Sequence, residues 1–514
     1  ERFISCLIYV PRDRYTTALR LKIQRLLEDA FSGEVSAHYA HLGESALGRL
    51  HIIVQTTPGK IPNYNEAEIE ARLIDVARSW KDGLREGLSD ELGEGDGQLV
   101  YSRYAEAFGP AYQERFDSAQ AISDIARIDD CLESGTLRMK LYSDGGAKDR
   151  VRFKVYNPEG PIALSDVLPM LEHMGLKVLE EVPYQVTPRE DAGVNSALMA
   201  MIHDFGLQTR DGSAVDADAV GTIFQDAFSR VWSGDLESDG FNALVLGAGL
   251  AWREVMVLRA FCKYLRQAGI PFSQDYMEST LAHNPGLARN IVDLFSTTFD
   301  PQQKDGTKQA KKIRSRLNTG LSNVASADED RILRRYINLV DAILRTNFFQ
   351  TDAEGSPKPY MSIKLDSGRV DELPLPRPFR EIFVYSPRVE GVHLRFGMVA
   401  RGGLRWSDRR EDFRTEILGL VKAQQVKNTV IVPVGSKGGF VLKNPPPMSD
   451  RDAFMTEGIA CYKLFISGLL DITDNLDGDR VVPPKSTVRL DADDPYLVVA
   501  ADKGTATFSD IANS

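Results

Sequence analysis

Cysteine is scarce in this chain: 514 residues hold four, Cys6, Cys131, Cys262 and Cys461, far apart and without a CxxC pair. That spacing argues against a cysteine-based zinc site and a disulfide framework, and favours a reducing cytoplasm with the four thiols buried. No other cluster with metal-ligand spacing is present, so no metal is expected. Basic residues are in deficit, 62 Lys and Arg against 73 Asp and Glu, for a formal net charge of −11. Such a chain repels a nucleic-acid polyanion on average, and no basic face dominates, so no nucleic-acid partner is expected. Long apolar runs are missing as well. The run from Ala243 to Trp252 falls short of the ~20 residues of a membrane span, and no membrane association is expected. A signal peptide is not read, because Phe3 already opens a strand pattern, and GxxxxGK[ST] does not occur. The abrupt start at Glu1 and stop at Ser514 suggest an excised piece of something longer.

What is present is ordinary globular material, 43% hydrophobic and 26% charged, too long for one core and divisible into about three or four domains. The overall class is α/β. Phe3 to Val10 reads as a buried strand, and Thr16 to Phe31 as a helix with Leu19, Ile23, Leu26 and Ala30 on one stripe. Strands follow at Glu34 to Leu42 and Gly48 to Thr56, then a helix from Asn65 with Ile69, Leu73, Val76 and Trp80 on one face. This order is that of a ferredoxin-like split unit. After a break at Gly93 to Gly97, a polar helical segment reaches Ser134. Thr136 to Tyr142 and Val151 to Tyr156 alternate around Asp144-Gly-Gly, the pattern of a hairpin with one wet face. A helix capped by Ser165 and a strand from Leu176 to Val182 complete a second small unit. From Asn195 to Phe349 the periodicity is helical almost throughout, including a late helix carrying Ile332, Tyr336, Leu339 and Ile343. Leu244-Val-Leu-Gly-Ala-Gly reads as a helix start rather than a dinucleotide loop, since Trp252 fills the third glycine position. The basic run Lys304 to Arg316 reads as a solvated helix face or loop. A Pro- and Gly-rich boundary spans Thr351 to Pro378, and strands follow at Ile382 to Ser386 and Val392 to Val399. The resulting divisions are 1–134, 135–190, 191–350 and 351–514.

Three glycine-flanked charges carry the candidate chemistry. Arg401-Gly402-Gly403 is read at a strand end, followed by a helix from Arg409 to Val426 whose stripe Phe413, Ile417, Leu420 ends in Gln424. Lys427 shares that helix face. A strand from Asn428 to Val434 leads into Gly435-Ser-Lys437-Gly-Gly, and a last strand, Tyr496 to Ala501, ends at Asp502. A lysine among glycines, with Arg401 and Lys427 as neighbouring cations, is expected to titrate low enough to act as a base or to polarise a carbonyl. One carboxylate among several cations suits a dicarboxylate substrate and a proton transfer. Each motif also has a plainer reading, as surface turn, helix cap or salt bridge.

Arg401-Gly-Gly-Leu-Arg-Trp-Ser-Asp, Glu416-Ile-Leu-Gly-Leu-Val-Lys-Ala-Gln-Gln-Val-Lys-Asn, Val432-Pro-Val-Gly-Ser-Lys-Gly-Gly and Ala500-Ala-Asp-Lys-Gly-Thr-Ala-Thr-Phe-Ser-Asp resemble the large multidomain bacterial NAD-specific glutamate dehydrogenases. The earlier segments are similar in layout to that family's ACT-like modules and helical region. The resemblance implies oxidative deamination of L-glutamate to 2-oxoglutarate and ammonia. It implies Lys437 and Asp502 as catalytic residues. It further implies Gln424 and Lys427 on the α-carboxylate, Arg401 where the short enzymes have a lysine for the side-chain carboxylate, and Gly402 and Gly403 lining the substrate. NAD is expected to bind mainly beyond Ser514, the piece alone to be inactive, and the whole protein to be a homo-oligomer. Two rivals are a non-catalytic amino-acid sensor and a dehydrogenase of another amino acid.

Overall fold

A computed structural model describes residues 2–43, 45–59, 62–143, 145–189, 199–427, 434–502, 505–508 and 510–511, without the side chains of 424–427. The chain gathers into two compact units. One comprises Glu1–Met139, Val155–Pro161 and Val182–Asp204, the other Lys140–Lys154, Ile162–Glu181 and Phe205–Ser514.

In the first unit β1 (Phe3–Pro11), β2 (Glu34–His41) and β3 (Leu47–Gln55) form an antiparallel sheet in the order β1-β3-β2. Helix α1 (Thr17–Phe31) is capped by the Thr16 hydroxyl, which accepts from the Leu19 amide at 3.1 Å, and it buries Ile23, Leu26, Leu27 and Phe31 with Leu50, Ile52 and Val54 of β3. Helix α2 (Glu66–Ala77) opens at Asn65 as expected, with the Asn65 side chain accepting from the Ala67 amide, but it stops before Trp80. Ser79 and Asp82 there form a capping box that starts a new helix, α3 (Trp80–Leu92), so Trp80 belongs to the next element. The glycine break is a single left-handed residue, Gly93 at φ +85°, before α4 (Glu94–Tyr104), α5 (Pro110–Arg115) and α6 (Ser118–Ser134). These helices enclose Asp124, which accepts the hydroxyls of Tyr112 at 2.6 Å and Tyr156 at 2.8 Å.

Then come β4 (Arg138–Tyr142), β5 (Arg150–Asn157), α7 (Leu164–His173), β6 (Leu176–Val186), β7 (Ala200–Thr209) and α8 (Ala217–Trp232). Three expectations change here. Strand β5 has no wet face, being buried from Val151 to Asn157. Ala163, not Ser165, occupies the cap of α7. Ala200 to Thr209 is a strand instead of a helix. A strand buried on both faces has no polar alternation to give it away.

In the second unit α8 is followed by α9 (Leu244–Gly247), α10 (Trp252–Gln267), α11 (Gln274–His283), α12 (Pro285–Phe299), α13 (Gly306–Leu321) and α14 (Ala327–Ala342). The segment from Leu244 is helical, as read. The basic run lies on α13, which buries only Ile313, Leu317 and Leu321 and leaves Lys308, Lys311 and Lys312 in solvent. Helix α14 ends one residue before Ile343, which opens β8 (Ile343–Thr346).

Strands β8, β9 (Met361–Leu365), β10 (Arg380–Tyr385), β11 (Val389–Arg395), β12 (Arg401–Trp406) and β13 (Gly435–Leu442) form one sheet, ordered β12-β13-β11-β10-β9-β8. Only β12 and β13 run parallel; the other pairings are antiparallel. Helix α15 (Phe413–Lys427) joins the parallel pair. Its buried stripe is Phe413, Ile417 and Val421, so Leu420 is displaced from the face expected of it. Helix α16 (Arg451–Leu470) packs Cys461, Tyr462, Phe465 and Leu469 with Val384, Val389, Phe440 and Leu442. Its length and apolarity would suit a membrane span, yet this face is spent on the sheet. Neighbouring residues on a strand face opposite ways, so Glu381, Lys437 and Gly439 lie on the side of α15.

Three sequence expectations fail around this sheet. Gly435 to Gly439 is not a turn but the interior of a fully buried strand. A β-carbon on Gly438 would overlap Leu404, and one on Gly439 would overlap Ile417 of α15, so these glycines admit close packing. Arg401 begins a strand rather than following one. Tyr496 to Ala501 forms no continuous strand and pairs through one bridge, Ala501 with Leu404. The strand expected over 428–433 lies outside the described residues.

Arg414 of α15 donates to both oxygens of Glu381 on β10, at 2.6 and 2.8 Å, with both side chains buried. Removing one member leaves a buried, unpaired charge. Glu381→Ala should lower the unfolding free energy by about 3–5 kcal/mol, whereas Glu381→Leu combined with Arg414→Leu should recover most of it, as read by urea denaturation.

Candidate active site

Strand β13 sets Lys437 between Leu394 of β11 and Gly403 of β12. Paired residues face the same side of a sheet, so the lysine stem lies beside a position that has no side chain, and the ammonium can pass over β12. Beyond β12 the chain returns along its edge. The Leu404 amide donates to the Ala500 carbonyl at 2.8 Å, Leu404 bridges Ala501 in parallel, and the Thr505 hydroxyl donates to the Leu404 carbonyl at 2.8 Å. The Asp502 amide in turn donates to Thr505 Oγ1 at 2.9 Å. This clasp holds the Asp502 carboxylate so that Oδ2 accepts from Lys437 Nζ. The lysine side chain is 6% exposed and the aspartate 32%, so the pair is buried at its cationic end and open to solvent at its acidic end.

The glycines of β12 are required by this closeness. A β-carbon at Gly402 would overlap the Ser436 carbonyl, and one at Gly403 would stand 2.9 Å from the Ala500 oxygen and 3.4 Å from Asp502 Cβ. Lys437, Asp502 and Gly403 are therefore brought together. Arg401 is not: it is exposed at the start of β12, its amide donates to the Val434 carbonyl at 3.2 Å, and its guanidinium makes no ion pair with another described residue. Gln424 and Lys427 occupy the last turn of α15, but their side chains lie outside what is described.

Five family models match successive parts of the chain. They are the glutamate dehydrogenase ACT2 domain at 1–81, helical motif 2 at 87–130, the ACT3 domain at 136–220, helical motif 3 at 236–301, and the catalytic domain of bacterial NAD-glutamate dehydrogenase at 316–514. Across its whole length the chain is 47% identical to the NAD-specific glutamate dehydrogenase of Halomonas elongata, 48% to that of Pseudomonas aeruginosa and 46% to that of Mycobacterium tuberculosis. The chain belongs to the bacterial NAD-specific glutamate dehydrogenase family. It spans only 31–33% of the length of these relatives.

Against that family's cofactor, the described residues offer no dinucleotide fit. The one loop that carries a strand into a helix between parallel strands is Ser407-Asp-Arg-Arg-Glu-Asp412, with three carboxylates and no glycine where a pyrophosphate needs bare backbone amides. The Gly247-Ala-Gly249 segment closes the short helix α9 and follows no strand.

Sequence reasoning missed the groups that hold the chain leading to Asp502. On the sheet face opposite Lys437, Arg345 donates to Asp474 and Asp491, Lys364 to Asp491 and Asp494 at 2.6 and 2.7 Å, and Arg395 to Asp494. Burial alone would raise the Asp494 pKa, but hydrogen bonds from Arg395 and Lys364 outweigh it and hold the carboxyl at about 2. His393 lies beside them with Nε2 3.0 Å from the Val498 carbonyl, and burial pushes its pKa down to about 4. No local motif marks these residues; charged positions inside β8, β9 and β11 are the hint in the sequence.

Two measurements follow from this geometry. Gly403→Ala should push the 500–502 backbone away and break the Lys437–Asp502 contact, visible in a crystal structure of the variant. His393 binds its proton more weakly folded than unfolded, so its contribution to stability is complete above pH ~6.5 and falls away as the pH drops toward 4. Urea titrations at pH 7 and pH 5 should show wild type losing about 2 kcal/mol that His393→Gln does not lose.

Proposed function

We propose that the chain is the regulatory and substrate-binding part of an NAD-specific glutamate dehydrogenase, which converts L-glutamate to 2-oxoglutarate and ammonia. The observation that carries this reading is the contact of a buried lysine with a solvent-facing aspartate across a glycine, within the segment that matches the catalytic-domain model. Hydride acceptance belongs to NAD, held outside these residues. What this chain contributes is proton management. The substrate amine must lose a proton before its α-carbon can give up hydride, and the resulting imine must take up water and release ammonia. Asp502, partly open to solvent, suits transfer of a proton to and from the substrate nitrogen, with Lys437 Nζ beside it to orient water and stabilise the developing carbonyl oxygen. Gln424 and Lys427, at the end of α15, are assigned to the α-carboxylate, and Arg401 at the β12 edge to the distal carboxylate, with Gly402 and Gly403 keeping the backbone close.

In the full-length enzyme, Lys437→Ala should lower kcat by about 10²–10⁴-fold while the thermal unfolding midpoint stays near that of wild type. Wild-type turnover by a folded Lys437→Ala protein would refute the assignment.

A further inference from the structure

Asp502 is delivered by a segment that has almost no strand pairing. From Asp494 to Ala500 the chain belongs to no strand, and backbone bonding to the sheet begins only at Ala500, where Leu404 donates. Before that point side chains act in place of a neighbouring strand, and they catch alternate residues, the repeat of an extended chain. Arg395 donates to Asp494 Oδ1 at 3.0 Å and to the Tyr496 carbonyl at 2.6 Å. His393, two residues earlier on β11, meets the Val498 carbonyl at 3.0 Å. The Tyr496 hydroxyl adds a bond to the Ala400 carbonyl at 2.6 Å. His393 makes the last of these side-chain clips before the edge of β12, at Val498, four residues before Asp502.

Its own position is tied to the strand that carries the lysine. His393 pairs with Gly438 of β13, the residue after Lys437, and Nε2 stands 3.3 Å from the hydroxyl of Ser436, the residue before it. Gly438 leaves the space the ring needs, because a β-carbon there would lie 3.1 Å from His393 Cδ2. A carbonyl can only accept, so Nε2 carries the hydrogen.

We propose that His393 is a positioning residue for Asp502: by holding the Val498 carbonyl it references the incoming chain to β13 and so sets the carboxylate against the Lys437 ammonium. This rests on the reading of Asp502 as a proton-transfer group. Burial keeps the ring neutral, and the charged groups nearest it, Arg395 and Asp494, are themselves paired, so the clip persists across assay pH.

A double-mutant cycle in the full-length enzyme, assayed with glutamate and NAD, tests this. His393→Leu should lower kcat by about 10–100-fold with KM for glutamate within about threefold, since a small misplacement of a proton-transfer group penalises chemistry more than binding. His393→Gln, whose amide nitrogen reaches the Nε2 position, should return kcat to within about threefold of wild type. In an Asp502→Asn background His393→Leu should cost no more than about a further twofold, because the group it positions is already gone. If both losses multiply in the double variant, or if His393→Leu turns over like wild type, the positioning role is refuted while the reading of Asp502 stands. Should Asp502→Asn itself retain full turnover, both fall. His393→Asn, polar but too short to reach Val498, replaces Leu if that protein does not fold, and the same loss is expected of it.

Discussion

An ammonium group inside a β-sheet is tolerable only if a carboxylate reaches it, because leaving either charge alone in low dielectric costs several kcal/mol. Lys437 has no acid on its own strand or on the strands flanking it within the same row: its paired neighbours are Leu394 and Gly403. The acid arrives from a stretch of chain 65 residues away, over a position where the side chain is a single hydrogen. Much of the surrounding architecture is what such an arrival demands. Strand β12 must be bare at Gly403, the returning chain must lie along its outer edge, and Thr505 must close the clasp behind Asp502.

The sheet divides the labour between its faces. On one, α15 and α10 pack against β10 and β13, and the Lys437–Asp502 pair sits at the edge of that layer. The other carries α16 and, beside it, a buried run of three cations and three carboxylates linking β8, β9 and β11 to the chain between Asp474 and Asp494. Buried charge networks are poor evidence of net stability, but their directional bonds admit few alternative registers. Here the register they define is that of the segment which ends at Asp502. One face therefore anchors what the other uses.

This arrangement fits the family to which the chain belongs. The catalytic-domain match takes in both faces of the sheet and the helix α14 before it, while the ACT and helical-motif matches account for the earlier residues. Within that match the Lys437–Asp502 pair is buried at its cationic end and 32% exposed at its acidic end.

How much of this was legible in advance depends on the range of the forces involved. Local forces leave local marks: the helix starts at Thr16 and Asn65, the α1 stripe and the strand-helix-strand-strand-helix order of the first module were readable from spacing alone, because helix and strand periods are short. Lys437, Asp502 and Gly403 could be singled out by residue type and family resemblance. Sequence could not show that the glycines around Lys437 lie within a strand, since their reason for being there is Leu404 and Ile417 across the packing interface. Nor could it show β7, whose burial on both faces erases any alternation. The contact of Lys437 with Asp502, and the set of side chains that bring the latter in, belonged to tertiary structure alone, because residues far apart in the chain become neighbours only when strands pair and a helix closes over them.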